Sequence, residues 1–261
     1  WPGPPNVISG NAGGGVVIDG ANATDNRVCN SRIGTNVSGT AALCSQPFGV
    51  ALRNGAHDNH IGSANPGMTD VISGHTQQGI VGTGDGNEVS YSFIGTNLAG
   101  TAAIPNGLGG INMTGAGTWI HHNTISGNTG SGITLSGTDP RITYNFIGIN
   151  SAGTTALANS QHGILFSNAS SGGSISGNTI SGNTQNGLLT NPASGIVNDL
   201  WIHANIIGLN AAGTTAVGNG IDGIGLLKAA NVIIGTNGDG TDDTAERNII
   251  SGNTDDGVEP N

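Results

Sequence analysis

The amino-acid sequence predicts an all-β solenoid, a single-stranded right-handed parallel β-helix of about eight coils. Two short blocks alternate along the 261 residues, Gly-led strands recur between them, and the composition suits a thin interior repeated many times. The first block is Asn6-Val-Ile-Ser-Gly-Asn11, which returns from Asp70, Asn123, Asn178 and Asn248. The second is Ile33-Gly-Thr-Asn36, which returns from Ile94, Ile147 and Ile207 and runs each time into a loop such as Ala99-Gly-Thr-Ala-Ala103.

The strands come next. Gly49-Val-Ala-Leu52, Gly110-Ile-Asn-Met113, Gly132-Ile-Thr-Leu135, Gly163-Ile-Leu-Phe166 and Gly223-Ile-Gly-Leu226 alternate apolar and other residues, which places the apolar members on one face of a short strand. Helical spacing is nowhere sustained. Gly-led starts fall at Gly15, Gly49, Gly79, Gly110, Gly132, Gly163, Gly187, Gly223 and Gly257. Each step accommodates one circuit with a loop of variable length, so eight circuits make a rod on the order of 40 Å long. Turns separate unlike strands whose counterparts return only after a full step, which favours parallel stacking over an antiparallel meander.

Hydrophobic residues make up 35% of the chain and aromatics 3%, against 48 glycines, too little to fill a thick globular core. Disorder is disfavoured as well, because charged residues are only 8% and Ile and Val recur in register. The formal charge of −10 argues against a nucleic-acid partner. No stretch approaches the roughly 20 apolar residues of a membrane-spanning helix, so no membrane insertion is expected. Cys29 and Cys44 are the two cysteines; they form one disulfide in an oxidising compartment or remain two packed thiols.

Aligning the circuits produces columns. Val28, Val89, Ile120, Ile142, Ile175 and Ile202 form one apolar stack, and Ile33, Ile94, Ile125, Ile147, Ile180 and Ile207 another. Between them stand Ser31, Ser92, Asn123, Asn145, Asn178 and Asn205, a structural ladder in which each side chain bonds its neighbour above or below and nearby turn backbone.

With these motifs in view, the chain resembles the pectin-lyase-like right-handed parallel β-helix repeats, in particular the NxISGNxxxG and NxIGTNxxGTxAxxN repeats of bacterial secreted or surface proteins. The resemblance covers essentially the whole chain. It implies the fold and an extracellular or cell-surface location, while its relatives include polysaccharide lyases and hydrolases, phage fibres and non-catalytic surface proteins.

Catalytic clusters are scarce. Asp242-Asp243 and Asp255-Asp256 are adjacent acids of the kind glycoside hydrolysis needs, but they lie in loop-like segments without a companion His or Arg-x-Lys motif. His162 heads a strand and reads as a surface residue, and Arg141 has no column of acids beside it. No catalytic residue is assigned and no cofactor is required. Asp239, Asp242 and Asp243, with Asn237 and Glu246 nearby on a Gly-rich loop, are the candidate ligands for calcium. His121, His122 and His203 invite a transition-metal reading, but His121 and His203, which share a column, stand three circuits apart, too distant to ligate one metal. Thr35 and Thr96 begin an exposed Thr column that Ile149 and Leu209 interrupt, and Asn22, Asn36, Asn112 and Asn168 begin glycosylation sequons.

Residues 1–261 are thus expected to form one β-helix domain, a segment of a longer array or a filament subunit. Its start at Trp1-Pro-Gly-Pro-Pro5 falls in mid-circuit, and the circuit from Gly257 of one copy to Gly14 of the next nearly matches the shortest internal step. The expected function is a non-catalytic extracellular structural protein that associates end to end. The alternative is a carbohydrate-binding or polysaccharide-cleaving β-helix with glycans as partners.

Overall fold

Strands of two to eight residues follow one another and return to the same three sheets in rotation, each lying parallel to the strand one circuit earlier. The structure, a computed structural model, describes residues 3–43, 46–65 and 67–260. Sheet one runs in nine strands from Asn6–Ile8 to Ile249–Ile250, and sheet three in eight strands from Arg27–Val28 to Ile233–Ile234. Sheet two has eleven: nine in line from Val16–Asp19 to Val258–Pro260, with Val197–Asn198 and Ala229–Ala230 alongside. Every strand pairing is parallel, and no helix occurs among the described residues, as expected for a parallel β-solenoid.

Register is fixed by which face each side chain must occupy, since a one-residue slip would turn the whole apolar set outward. Ile33, Ile72, Ile94, Ile125, Ile147, Ile180 and Ile207 stack in sheet one, all fully buried. In sheet three the stack is Val28, Ile61, Val89, Ile120, Ile142, Ile175 and Ile202. Ile61 and Ile72 belong to these columns although they do not keep the fixed spacing of the others, because residues 62–69 are inserted in sequence between the two strands. Each buried Ile contributes roughly 1.5–3 kcal/mol, so a narrow interior is sufficient when it repeats on every rung.

The Gly residues that head the strands of sheet two have a packing reason. A Cβ on Gly132 would stand 2.8 Å from both Gly163 O and Asn159 Nδ2, and one on Gly110 would stand 2.6 Å from Gly132 O. Any larger residue would push adjacent rungs apart.

Rungs alternate in kind. Those bearing the Ile-Gly-Thr-Asn block project hairpin-like loops in which Asn36, Asn97, Asn150 and Asn210 each accept backbone N–H bonds through Oδ1 from residues four and five ahead. These loops bond to one another across the intervening rung, Leu98 N–H to Gly39 O at 2.8 Å and Ala211 N–H to Gly153 O at 2.8 Å. The intervening rung carries the Ile-Ser-Gly-Asn block, whose tight turn leaves room for the loop above. Ala103 therefore lies where a Cβ on Gly127 would be only 2.7 Å away. Thr35 and Thr96 are buried beneath the loops, so the exposed Thr column does not form. Cys44, which with Cys29 would form either a disulfide or a pair of packed thiols, lies outside the described residues.

Candidate functional site

The expected ladder residues lie together in the interior. Asn123 Nδ2 donates to Asn145 Oδ1, Asn145 Nδ2 to Asn178 Oδ1 and Asn178 Nδ2 to Asn205 Oδ1, each at 3.0 Å. Every one of these Nδ2 atoms also reaches two backbone carbonyls, and every Oδ1 takes the backbone N–H of the preceding rung as well. Buried amides at this density are stable because no donor or acceptor is left over. The ladder reaches further than the six residues named from sequence. Asn205 donates to Asn248, and Asp70 accepts from Ser31 N–H, so Asp70 stands between Ser31 and Ser92.

A second ladder lies between sheets one and two. Asn106, Asn128, Asn159, Asn183, Asn219 and Asn253 join side chain to side chain at 2.9–3.0 Å. Its members come alternately from the ends of the two sequence blocks, which hid them; the available signal was that each precedes a strand-heading Gly by the same interval. His75 occupies one position, taking a hydrogen bond from Gln46 at Nε2 and donating from Nδ1 to Asn106 Oδ1. Burial lowers the His75 imidazole to about 4, which keeps it neutral in this role. The ladder is open at the far end, where Asn253 Nδ2 is buried and has no acceptor.

The chemistry-bearing side chains on the exterior gather on sheet three. Glu88 joins two histidines from neighbouring rungs, with Oε2 3.0 Å from His60 Nδ1 and Oε1 3.0 Å from His121 Nε2. Partial burial pushes the Glu88 carboxyl up, but hydrogen bonds from His121, Ser90 and His60 outweigh it and leave Glu88 below its ordinary value. His121 Nδ1 is 2.9 Å from His122 Nδ1, and Trp119 stacks on His121 with ring centres 4.1 Å apart. Glu88, His60, His121 and Trp119 line a groove of about 360 Å³ that Arg27, Ser90, Tyr91 and residues 62–65 also bound.

The corner that leads from sheet three into the next rung imposes positive φ on Tyr91 (47°), His122 (55°) and Tyr144 (55°), as it does on Asn30 and Ala204. Non-Gly residues adopt this left-handed conformation at a cost of roughly 1–2 kcal/mol. Here three successive rungs place aromatic rings there: His122 stacks on Tyr91 at 4.8 Å and lies tilted by 30° against Tyr144 at 5.2 Å. The His122 imidazole is lowered by burial and by His121.

The remaining candidates are placed as follows. Asp239, Asp243 and Glu246 bring carboxylate oxygens within 4.8 Å of one another, whereas Asp242 sits in a left-handed turn at φ 58° outside that group. Glu246 therefore takes the place that the sequence gave to Asp242. Asp255 and Asp256 meet the buried Asp222 in the same way. His162 is half-buried rather than a surface residue, with Nδ1 enclosed and unpartnered. His121 and His203 are three rungs apart, through Thr143 and Ser176. No family model, no curated protein and no solved structure matches the chain.

Proposed function

We propose that the chain is a non-catalytic structural rod of a secreted or cell-surface protein, a right-handed parallel β-helix of about eight circuits whose ends meet further coils. Right-handed winding follows the strong preference of parallel β-crossover connections. The observation that carries the reading is Asn253 Nδ2, an enclosed donor on the last rung that lacks the acceptor its equivalents on Asn106, Asn128, Asn159, Asn183 and Asn219 find in the amide of the next rung. A second copy placed end to end continues the two amide columns, with Asn11 following Asn253 and Asn6 following Asn248, while two rungs of the Ile-Ser-Gly-Asn kind meet at the junction. A heterologous contact of this kind propagates into a filament.

Electron microscopy and light scattering of the purified chain test this reading. Rods that lengthen with concentration are expected, and particles of constant monomer mass at every concentration would defeat self-association. Glu259, on the last rung, is raised above its ordinary value by Asp222, by burial and by Asp256 and Asp255. Rods should therefore lengthen as mild acid relieves that crowding of acids.

A second reading, glycan binding, is favoured by one observation. The motif Trp-Ile-His occurs at Trp119–His121 and Trp201–His203, each Trp stacked on its His, three rungs or about 14 Å apart along one face. Such aromatic platforms suit sugar rings, whereas Glu88 is the one carboxylate among the described residues lining the groove, so the paired acids of hydrolysis are missing there. Gel retardation by soluble polysaccharides should be lost together in Trp119→Ala and Trp201→Ala; retention unchanged in both would remove this reading.

A further inference from the structure

We infer that His121 and His122 form a binding site for a divalent transition metal of the copper type on the outer face of sheet three. The site is independent of end-to-end assembly and of the acidic loops. Three observations converge on it.

The first is the arrangement of nitrogens. His121 Nε2 faces Glu88 Oε1 and can only donate to that carboxylate, which leaves the lone pair of His121 on Nδ1. That lone pair faces His122 Nδ1 at 2.9 Å. With metal–imidazole bonds of about 2.0 Å, two nitrogens 2.9 Å apart subtend about 90° at the metal. A tetrahedral ion needs a wider separation, whereas neighbouring positions of a tetragonal site, the geometry of Cu2+ and Ni2+, match it. The metal takes the place of the proton the two rings share. Its other positions open outward, since His122 is exposed while His121 is buried.

The second is the support behind the ligand. A carboxylate that accepts the far N–H of a ligating histidine fixes its tautomer and strengthens it as a donor. Glu88 does this for His121 and is itself held by His60 from the other side.

The third is an internal comparison. His203 has the same Trp-Ile-His setting as His121, but the left-handed corner after it is Ala204 at φ 56°, where His122 has φ 55°. The corner therefore accepts a plain methyl group, and the fold does not require an imidazole at His122. Tyr91 and Tyr144 nevertheless clamp that ring from both sides. Strain combined with a costly ordered ring points to a role beyond packing.

The test uses Cu2+ with the intact chain, read by titration calorimetry and electron paramagnetic resonance. One saturable equivalent with coupling from two nitrogens is expected. His122→Ala, which reproduces the natural Ala204 corner and so should fold, must reduce the coupling to one nitrogen. Glu88→Gln should weaken binding by about 10–100-fold without changing the number of coupled nitrogens. His203→Ala should bind as the parent chain does. A spectrum with oxygen ligands only, or Cu2+ affinity and coupling unchanged in His122→Ala, would overturn the assignment.

Discussion

Asn145→Ala is expected to destabilise the chain by roughly 3–5 kcal/mol, far more than any surface substitution. Asn145 Oδ1 accepts both the backbone N–H and the Nδ2 of Asn123, while its own Nδ2 donates to Ile120 O, Thr143 O and Asn178 Oδ1. All of these partners except Thr143 O, which is part-buried, are walled off from water by adjacent rungs. A methyl group leaves the Asn123 N–H without an acceptor, and each buried group so stranded costs about 1–3 kcal/mol. Asn150→Ala is the matched control. It loses bonds to Thr154 and Thr155 N–H in an exposed loop, where water replaces them, and should cost about 1 kcal/mol. Urea unfolding followed by circular dichroism separates the two. Equal midpoints for the two variants would mean that the interior amides do not hold the rungs together.

Asp70→Asn carries the second large effect, with the opposite sign. Asp70 occupies an amide position in the first ladder, fully buried, and its Oδ2 has no partner where other rungs place a donating Nδ2. Burial raises its carboxyl to about 7; the Ser31 N–H bond and the charge of Arg32 pull it down only in part. A protonated Asp70 mimics asparagine, since its O–H can donate where the amide would. The folded chain therefore retains a proton that the unfolded chain releases from about pH 4 upward. Stability falls by up to about 1.4 kcal/mol per pH unit across that window and levels off once the pH exceeds 7. Asn supplies the donor at every pH. The variant should match the parent near pH 4 and exceed it by roughly 2–4 kcal/mol at pH 8, read from unfolding midpoints across that range. A constant difference at all pH values would show that the Asp70 proton plays no part.

What the sequence revealed and what it hid follow from one distinction. Residues whose roles are set by the backbone repeat, such as the strand-heading glycines from Gly15 to Gly257 and the Ile stack of sheet one, recur at intervals that alignment can detect. Residues displaced by insertions escape it. The loop 62–69 separates Ile61 from Asp70, and the segment 235–247 separates Ile234 from Asn248, so ladder and column members on those rungs lost their expected spacing. The second amide ladder was hidden for another reason: Asn106, Asn159 and Asn219 close one kind of block and Asn128, Asn183 and Asn253 the other. On the exterior, His121 and His122 drew attention as residue types, but Glu88 and His60 come from other rungs at unrelated offsets. Only coordinates bring those four together. Calcium chemistry shows the same limit, because the group is Asp239, Asp243 and Glu246, and turn geometry rather than sequence adjacency removes Asp242.

The most direct test measures distances along the rod by pulsed electron spin resonance. Val17, Thr134 and Glu259 occupy equivalent outward positions of sheet two on the first, fifth and ninth strands in line. With Cys29 and Cys44 replaced by Ser, spin labels on Val17→Cys, Thr134→Cys and Glu259→Cys are taken in pairs. Parallel rungs in register place the first and second, and the second and third, about 19 Å apart, and the outer two about 38 Å apart. An outer distance well short of the sum of the other two would contradict the stacked-rung architecture on which the ladders, the open ends and the histidine site all depend.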